Sequence, residues 1–396
     1  MPLRRYNERS RHMNKPKFFI NDLMNQSSRT GKYMHDSLSD DILKDICKKI
    51  TEDDEYDVQY DKKQNVGRVI ILKYSNKTAY ISLSLTVPRG RDSAVQTVAP
   101  AYNIYCQSNE KNKELYYYFL GKGNKFETPY FISAYRQMLT IGFKFLNPEN
   151  LTTPISSYNS IDDLIASRKI NTSKNTGNRA SYITKSTSKD IEIYGKTYGA
   201  NKYAAAMLGY TAACLIRSTD YNLTFYEIIE GDLKHMPKSC KKTLSLLGNI
   251  TIISTDIEFQ KENEQKTDNL RSPLYTVHLL DRIGPKKCAL CSCEIQEIIQ
   301  GAHIWPVSII KKQALSYDEK FAHAVSGDNG MWLCQNHHKL FDESIIQFSL
   351  DGTILYNTTD QKNQRFLYKI TDTEKIPSCY LSPKFLSYLE LRNSSI

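Results

Sequence analysis

Apolar residues recur at helical spacing at Ile42, Ile46 and Ile50, then gather into the dense runs Val69-Ile-Ile-Leu-Lys-Tyr74 and Tyr80-Ile-Ser-Leu-Ser-Leu85. A period near 3.6 lines one face of a helix, whereas short β-branched and aromatic runs suit a pleated surface, so the first pattern predicts a helix and the others two strands. From Ser37 to about Tyr158 the chain reads as a mixed α+β region. Tyr116, Tyr117 and Tyr118 suit a nucleic-acid surface with interleaved lysines, though a half-buried strand is the commoner reading of such a run. Asp190 to Asp256 reads as an α/β unit, with a strand at Ile191-Glu-Ile-Tyr194, a helix near Tyr203 to Ile216, and strands near Leu223 to Ile229 and Ile250 to Ser254.

Two polar stretches interrupt these patterns. Residues 1 to 18 are basic and almost without apolar period, which predicts a flexible arm or a plain tail. Between Ser167 and Lys189 the chain turns to Ser, Thr, Asn and Gly with Arg168, Lys169, Lys174, Arg179, Lys185 and Lys189, and no acidic residue intervenes. That composition marks a loop or linker, one able to order along phosphates.

Composition narrows the class. At 396 residues with 40% hydrophobic positions the chain can build two or three cores, and 53 basic against 43 acidic residues gives +10. A cation of this size favours polyanionic partners. No apolar run approaches eighteen residues, and the N-terminus lacks the apolar stretch of a secretory signal, so a soluble cytoplasmic protein with no membrane partner is expected. Two motifs are decoys. Gly195-Lys196-Thr197 resembles the end of a phosphate loop, but Asp190 stands where that loop requires glycine, which argues against a nucleotide cofactor. Asp220 with Asp232-Leu-Lys234 matches the acid-plus-lysine core of many nucleases, a pattern too loose to separate from chance. The turn from Gly195 to Asn201 could still offer backbone N–H groups to a phosphate.

The nine cysteines are too few for a disulfide scaffold of this length, and where they cluster they suggest metal. Cys288-Ala-Leu-Cys291 places two thiolates on one tight turn, and forty-three residues after Cys291 comes Cys334-Gln-Asn-His337. Cys288, Cys291, Cys334 and His337 form a Cys3His set with the spacing of a structural Zn2+ site. Cys293 is an alternative ligand outside that turn. Cys47, Cys106, Cys214, Cys240 and Cys379 have no partner nearby in sequence and read as ordinary thiols.

Between the two pairs lies Gly301-Ala-His303-Ile-Trp-Pro306. The second pair is introduced by Asp328-Asn329-Gly-Met-Trp-Leu333 and followed by His338-Lys-Leu-Phe-Asp342. The segment from about Gly284 to Ser344 resembles the HNH nucleases, a family with a ββα-metal fold, and most closely the subgroup found in restriction endonucleases. Tyr380-Leu-Ser-Pro-Lys-Phe-Leu-Ser-Tyr-Leu389 looks like the helix that follows the module in that subgroup. The resemblance covers roughly the last 110 residues.

It implies a division of labour. His303 is the general base, Asn329 orients it or its strand, and His338 binds one catalytic divalent ion, expected to be Mg2+. Many members carry a metal ligand immediately before the base, where this chain has Ala302, and Asp342, one turn after His338, is the candidate second ligand, with a cap or an ion pair as its other reading. His278 and His323 read as ordinary histidines, and Trp305 and Trp332 as core wedges.

The expected architecture is therefore α+β: a mixed N-terminal and central DNA-recognition region followed by a zinc-stapled ββα-metal module. Residues 1–185 are assigned to an N-terminal α+β domain with the basic arm and linker. Residues 186–275 form an α/β unit for recognition or dimerisation, 276–350 the nuclease module, and 351–396 an extension packed on it. The implied function is that of a bacterial type II-like restriction enzyme, a homodimer that hydrolyses double-stranded DNA at a chosen site. Two rival readings are a non-catalytic zinc-containing DNA-binding protein and a nuclease acting on modified DNA or RNA.

Overall fold

The computed structural model describes residues 15–20, 38–60, 69–84, 97–170, 181–196, 201–229, 235–256, 270 and 272–395. They form mixed helices and strands of the α+β class and divide into two compact units that do not follow chain order. The first comprises Met1–Leu164, Lys202–Arg217 and Met236–Gly248, and the second comprises Ile165–Asn201, Ser218–His235 and Asn249–Ile396. Among the described residues, no helix is long and apolar enough to cross a membrane.

The first unit is built on six strands: β1 (Lys17–Ile20), β2 (Asp57–Tyr60), β3 (Val69–Tyr74), β4 (Lys77–Leu83), β5 (Lys113–Tyr118) and β6 (Lys144–Phe145), in the order β2-β1-β3-β4-β5-β6. β3 pairs antiparallel with β1 and β4, and the other neighbours are parallel. Helix α1 (Asp40–Thr51) starts at Ser39, whose side chain accepts from the Ile42 amide. Acidic residues lie in its first turn and lysines in its last, as the helix dipole favours. It buries Leu43, Ile46 and Cys47 against Phe18, Ile70, Leu72 and Ile81 of the sheet, so the stripe read from Ile42, Ile46 and Ile50 is one residue off centre. Helices α2 (Val98–Gln107), α3 (Pro129–Thr140), α4 (Ile161–Ile170), α5 (Asn201–Ile216) and α6 (Lys238–Leu247) follow in chain order, and the division between the units falls within α4, after Leu164. Buried Asn103 of α2 joins the two later ones: its carbonyl oxygen accepts from the Tyr210 hydroxyl at 2.6 Å and its amide reaches Cys240 Sγ at 3.2 Å. Tyr116, Tyr117 and Tyr118 are buried in β5, as a core strand requires.

The second unit holds a four-stranded sheet, β7 (Ser181–Lys185), β8 (Asp190–Lys196), β9 (Asn222–Ile229) and β10 (Ile250–Asp256), ordered β10-β9-β8-β7. β8, β9 and β10 are parallel, and β7 is antiparallel to β8. Helix α7 (Pro273–Ile283), capped by Ser272, brings Leu274, Val277 and Leu280 into one core with Tyr182, Tyr194 and Ile228 of this sheet and with Trp332 and Leu333 farther along the chain. Its Asp281 accepts from both Lys196 and Tyr182. Lys196 of the apparent phosphate-loop motif is therefore a buried ion-pair partner. The stretch after α7 contains β11 (Ile299–His303), α8 (Val307–Lys312), α9 (Tyr317–Val325), β12 (Gly330–Cys334), α10 (Gln335–Asp342), β13 (Ile346–Phe348), β14 (Ile354–Tyr356), α11 (Gln361–Ile370) and α12 (Pro383–Asn393).

Two basic segments differ from their reading as arm and linker, since Lys17 lies in β1 and residues 181–185 form β7. Lys174, Arg179 and the side chains of Arg168 and Lys169 lie outside the described residues, as do most of the turn after Gly195 and the Asp232-Leu-Lys234 motif.

Glu114 in β5 is the polar focus of the first unit. It accepts hydrogen bonds from Lys144 at 2.9 Å, Tyr74 at 2.7 Å and Tyr116 at 3.0 Å. Burial disfavours its charge, but these donors prevail and hold its pKa at about 2. A folded-state pKa below the unfolded one stabilises at pH values above the unfolded pKa, and that contribution disappears as pH falls through the folded value. Glu114→Gln should therefore cost about 1–2 kcal/mol at pH 7, allowing for partial solvent screening. Urea unfolding across a pH series should show the gap to wild type closing between about pH 4.5 and 2.

Candidate active site and metal centre

β11 and β12 pair antiparallel, with Ile299 opposite Cys334 and His303 opposite Gly330. Helix α10 begins directly after β12, so Cys334 is at once the last strand residue and the N-cap. On the other side, the turn carrying Cys288 and Cys291 closes on itself through the Cys288 amide and the Cys293 carbonyl, 3.0 Å apart, and is fastened to β12 by the Ala289 amide on the Trp332 carbonyl at 2.9 Å. The two pairs meet: one ligand atom from each of Cys288, Cys291, Cys334 and His337 lies within 4.8 Å of the others. His337 Nδ1 is 3.5 Å from Cys288 Sγ and 3.2 Å from Cys334 Sγ, and Cys291 Sγ is 3.9 Å from Cys334 Sγ. A zinc tetrahedron with Zn–S near 2.3 Å and Zn–N near 2.0 Å has edges of roughly 3.5–3.8 Å, so the donor set fits such an ion. Burial and the adjacent Cys288 and Cys334 thiols push the Cys291 thiol up, which a cation at the centre would reverse. Cys293 contributes its carbonyl to the turn and stays outside the set.

The ring of His337 is oriented from behind. Its Nε2 lies 3.2 Å from Thr371 Oγ1, at the end of α11, which directs Nδ1 to the sulfurs. The next residue, Asp372, clamps the cysteine turn, accepting from the Ser292 amide at 2.6 Å and donating its own amide to the Leu290 carbonyl at 2.8 Å.

Consecutive residues on a helix point about 100° apart, so the turn that sends His337 into the cysteine cluster sends His338 elsewhere. His338, Asp342 and His303 all line one cleft of about 690 Å³. His338 Nδ1 lies 3.0 Å from Asp342 Oδ2, and hydrogen bonding from His338 holds the Asp342 carboxyl below its usual range against the effect of burial. His303 ends β11. Its Nε2 is 2.8 Å from the Ala324 carbonyl, which can only accept, so Nε2 carries the proton and the basic lone pair of the neutral ring is at Nδ1.

Asn329 does not enter the cleft. It is fully buried, and its side chain accepts from the Trp305 amide at 2.7 Å and donates to the carbonyls of Trp305 and His323, both at 3.1 Å. It thus ties the chain two residues past His303 to α9. Ala302 is buried, and its carbonyl accepts from the Tyr275 hydroxyl at 2.9 Å. Trp305 and Trp332 are core residues, while the Nδ1 atoms of His278 and His323 are engaged with the Val325 carbonyl and the Tyr388 hydroxyl.

Sequence patterns did not single out three further residues. Tyr275 of α7 lies flat on the His303 imidazole, with ring centroids 3.8 Å apart at 15°. The glycines at 301 and 330 make room for it: a Cβ at Gly330 would stand 2.1 Å from Tyr275 Oη, and one at Gly301 2.8 Å from its Cε1. Arg282 of α7 holds the Asn329 turn, pairing with Asp328 at 2.8 Å and donating to the carbonyls of Gly327 and Gly330. Arg392 of α12 lies at the cleft and joins its two sides, donating to the Ile304 carbonyl at 3.2 Å and the Phe341 carbonyl at 2.6 Å. Burial lowers its pKa to about 10, a value at which it stays charged in neutral solution. A lone Tyr or Arg at helical spacing carries no motif, so nothing in the chain marked these three.

Residues 288–349 match the HNH endonuclease family, in the C-terminal third of the chain where the resemblance was read. No curated protein matches the chain.

Cys334→Ser should release zinc and unfold the C-terminal part of the second unit, whereas Thr371→Val should keep the fold and weaken zinc affinity about 10–100-fold, both read by competition with a chromogenic chelator. Gly330→Ala forces a methyl group into the Tyr275 hydroxyl and should cost about 1–3 kcal/mol in thermal unfolding.

Proposed function

We propose that the protein is a site-specific double-stranded DNA endonuclease of restriction type that hydrolyses phosphodiesters with His303 as general base. The reading rests above all on one arrangement: a histidine with its basic nitrogen at Nδ1 shares a cleft with the His338–Asp342 pair, on a strand pair and helix joined by the Cys3His cluster. Cationic charge and the HNH match make DNA the natural substrate.

In this scheme Nδ1 of His303 takes a proton from water as its oxygen attacks phosphorus, and the P–O bond to the leaving sugar oxygen breaks in line. Bonding of Nε2 to Ala324 keeps the ring in the tautomer the step requires, and stacking on Tyr275 fixes its plane. Asn329 is a positioning residue that acts through the backbone of Trp305 and His323. A divalent ion, Mg2+ in our proposal, would be held by His338 and Asp342 and would neutralise charge building on the leaving oxygen. The pair offers a ring nitrogen and a carboxylate one helical turn apart at the cleft, so Asp342 would be the second ligand in place of the absent group at Ala302. Residues ahead of the nuclease module would choose the site. A homodimer, one strand cut per subunit, would give double-strand breaks.

Plasmid incubated with the zinc-loaded protein and Mg2+ should yield discrete fragments, and an RNA or modified-DNA substrate in parallel should not be preferred. His303→Ala is expected to bind the same site with normal melting and to cut some two to four orders of magnitude more slowly. His338→Ala and Asp342→Asn should instead raise the Mg2+ requirement, with partial recovery at high metal. Wild-type cleavage by pure His303→Ala protein would overturn the mechanism.

A further inference from the structure

Helix α11 lies after the segment that matches the family and takes no part in the cleft. Of its ten residues only Leu367 is buried, with Gln364 and Ile370 half-buried on the same side. Around the opposite side run Tyr368, Gln361, Arg365, Lys369, Lys362 and Phe366, in that angular order at 100° per residue, and all are exposed. Phe366 is 56% and Tyr368 67% accessible, so three cations are bracketed by two largely exposed aromatic rings, of which Tyr368 also meets Tyr356 edge to face at 4.9 Å. The helix contains no acidic residue. Among the described residues none of the three cations is in an ion pair, whereas Lys339 and Lys375 elsewhere in the second unit pair with Glu343 and Asp351.

This face is unfavourable for the free protein. Lys362 and Arg365 are three apart and Arg365 and Lys369 four apart, spacings at which like charges repel, and the exposed rings gain nothing from water. It is also held firmly. Asp360 caps the helix through the Lys362 amide at 2.7 Å, and Thr371 and Asp372 fasten its end to His337 and the cysteine turn.

We propose that the solvent face of α11 is a second DNA-contact surface, outside the cleft, that grips the backbone of the duplex beside the cut. Lys362 to Lys369 spans roughly 10 Å along the helix, the axial reach of about three phosphates of one strand. Phe366 and Tyr368 flank that row, where rings can pack on sugars or exposed bases. Charge selects the occupant: a second copy of the chain laid face to face would set three cations against three, whereas a polyanion neutralises them. The proposal rests on the endonuclease reading and extends it to where the substrate runs.

The test uses the zinc-loaded full chain and the variant Lys362→Gln/Arg365→Gln/Lys369→Gln, with Lys362→Arg/Lys369→Arg as the charge-preserving control. Binding to linear duplex is measured against salt without added divalent ion. The triple variant should flatten the slope of log affinity against log salt by about two to three and weaken binding at least tenfold, with the control unchanged. Phe366→Ala/Tyr368→Ala should weaken binding and leave the slope as it is. Melting temperature, and Mg2+-dependent hydrolysis of bis(p-nitrophenyl) phosphate, which needs only the cleft, should match wild type in every variant. An unchanged slope in a triple variant that still hydrolyses the small diester overturns the α11 contact and leaves the nuclease reading standing. A change in oligomeric mass with an unchanged slope assigns the face to a second copy instead. If wild type neither binds duplex nor hydrolyses the diester, both readings fall together.

Discussion

Most of the candidate site follows from the meeting of Cys288, Cys291, Cys334 and His337. Two turns forty-three residues apart are brought to one point, and the chain between them has to fold back as the β11–β12 pair with α8 and α9 in the connection. Because Cys334 ends a strand and caps a helix, the cluster sets both the end of β12 and the rotation of α10. Once His337 is turned to the sulfurs, helical geometry leaves His338 facing the cleft with Asp342 one turn on. An error of one residue in that register would exchange the two histidines, and the fixed donor geometry of a tetrahedral ion held there would penalise it.

Support for the face that carries His303 comes from outside the matching segment. α7 contributes Tyr275 beneath His303 and Arg282 around the Asn329 turn, while its Asp281 binds Lys196 and Tyr182 of the four-stranded sheet. α12 contributes Arg392 across the cleft, and the end of α11 contributes Thr371 behind His337 of the Cys3His cluster. Isolated strand pairs of five residues are marginal in water. Here the pair is held in one hydrophobic core that runs from Tyr194 and Ile228 to Phe385 and Leu389. The nuclease motif is thus one face of a larger folded unit, and the discontinuous division of the chain places the four-stranded sheet in that unit while α5 and α6 belong to the other.

How much of this could be read in the chain depends on how local the cause is. β3 was legible to the residue at Val69–Tyr74, and β8, β9 and β10 to within a few residues, because dense β-branched runs specify a strand wherever it pairs. The helix expected from Tyr380 to Leu389 forms as a short turn followed by α12 from Pro383, since proline suits a first helical turn and Ser382 caps it. The Cys3His set was legible because metal ligation demands residue types at set spacing. The arm and linker were misjudged at Lys17 and at residues 181–185, because a polar composition does not reveal a partner strand elsewhere.

By itself, then, the sequence determined the Cys3His set, the His–Asn–His order and most strand positions, all of which are written in neighbouring residues or in strict chemical types. Only the tertiary structure decided that Asn329 serves the backbone and not the cleft, and that Lys196 answers Asp281 and not a phosphate. It also decided that Tyr275, Arg282 and Arg392 converge around His303 and the Asn329 turn, and that the cations of α11 share one open face. The physical reason is the same in each case. A lone tyrosine, arginine or lysine is chemically versatile, and its role is set by which distant carbonyl, carboxylate or ring the packed core brings within about 3 to 4 Å.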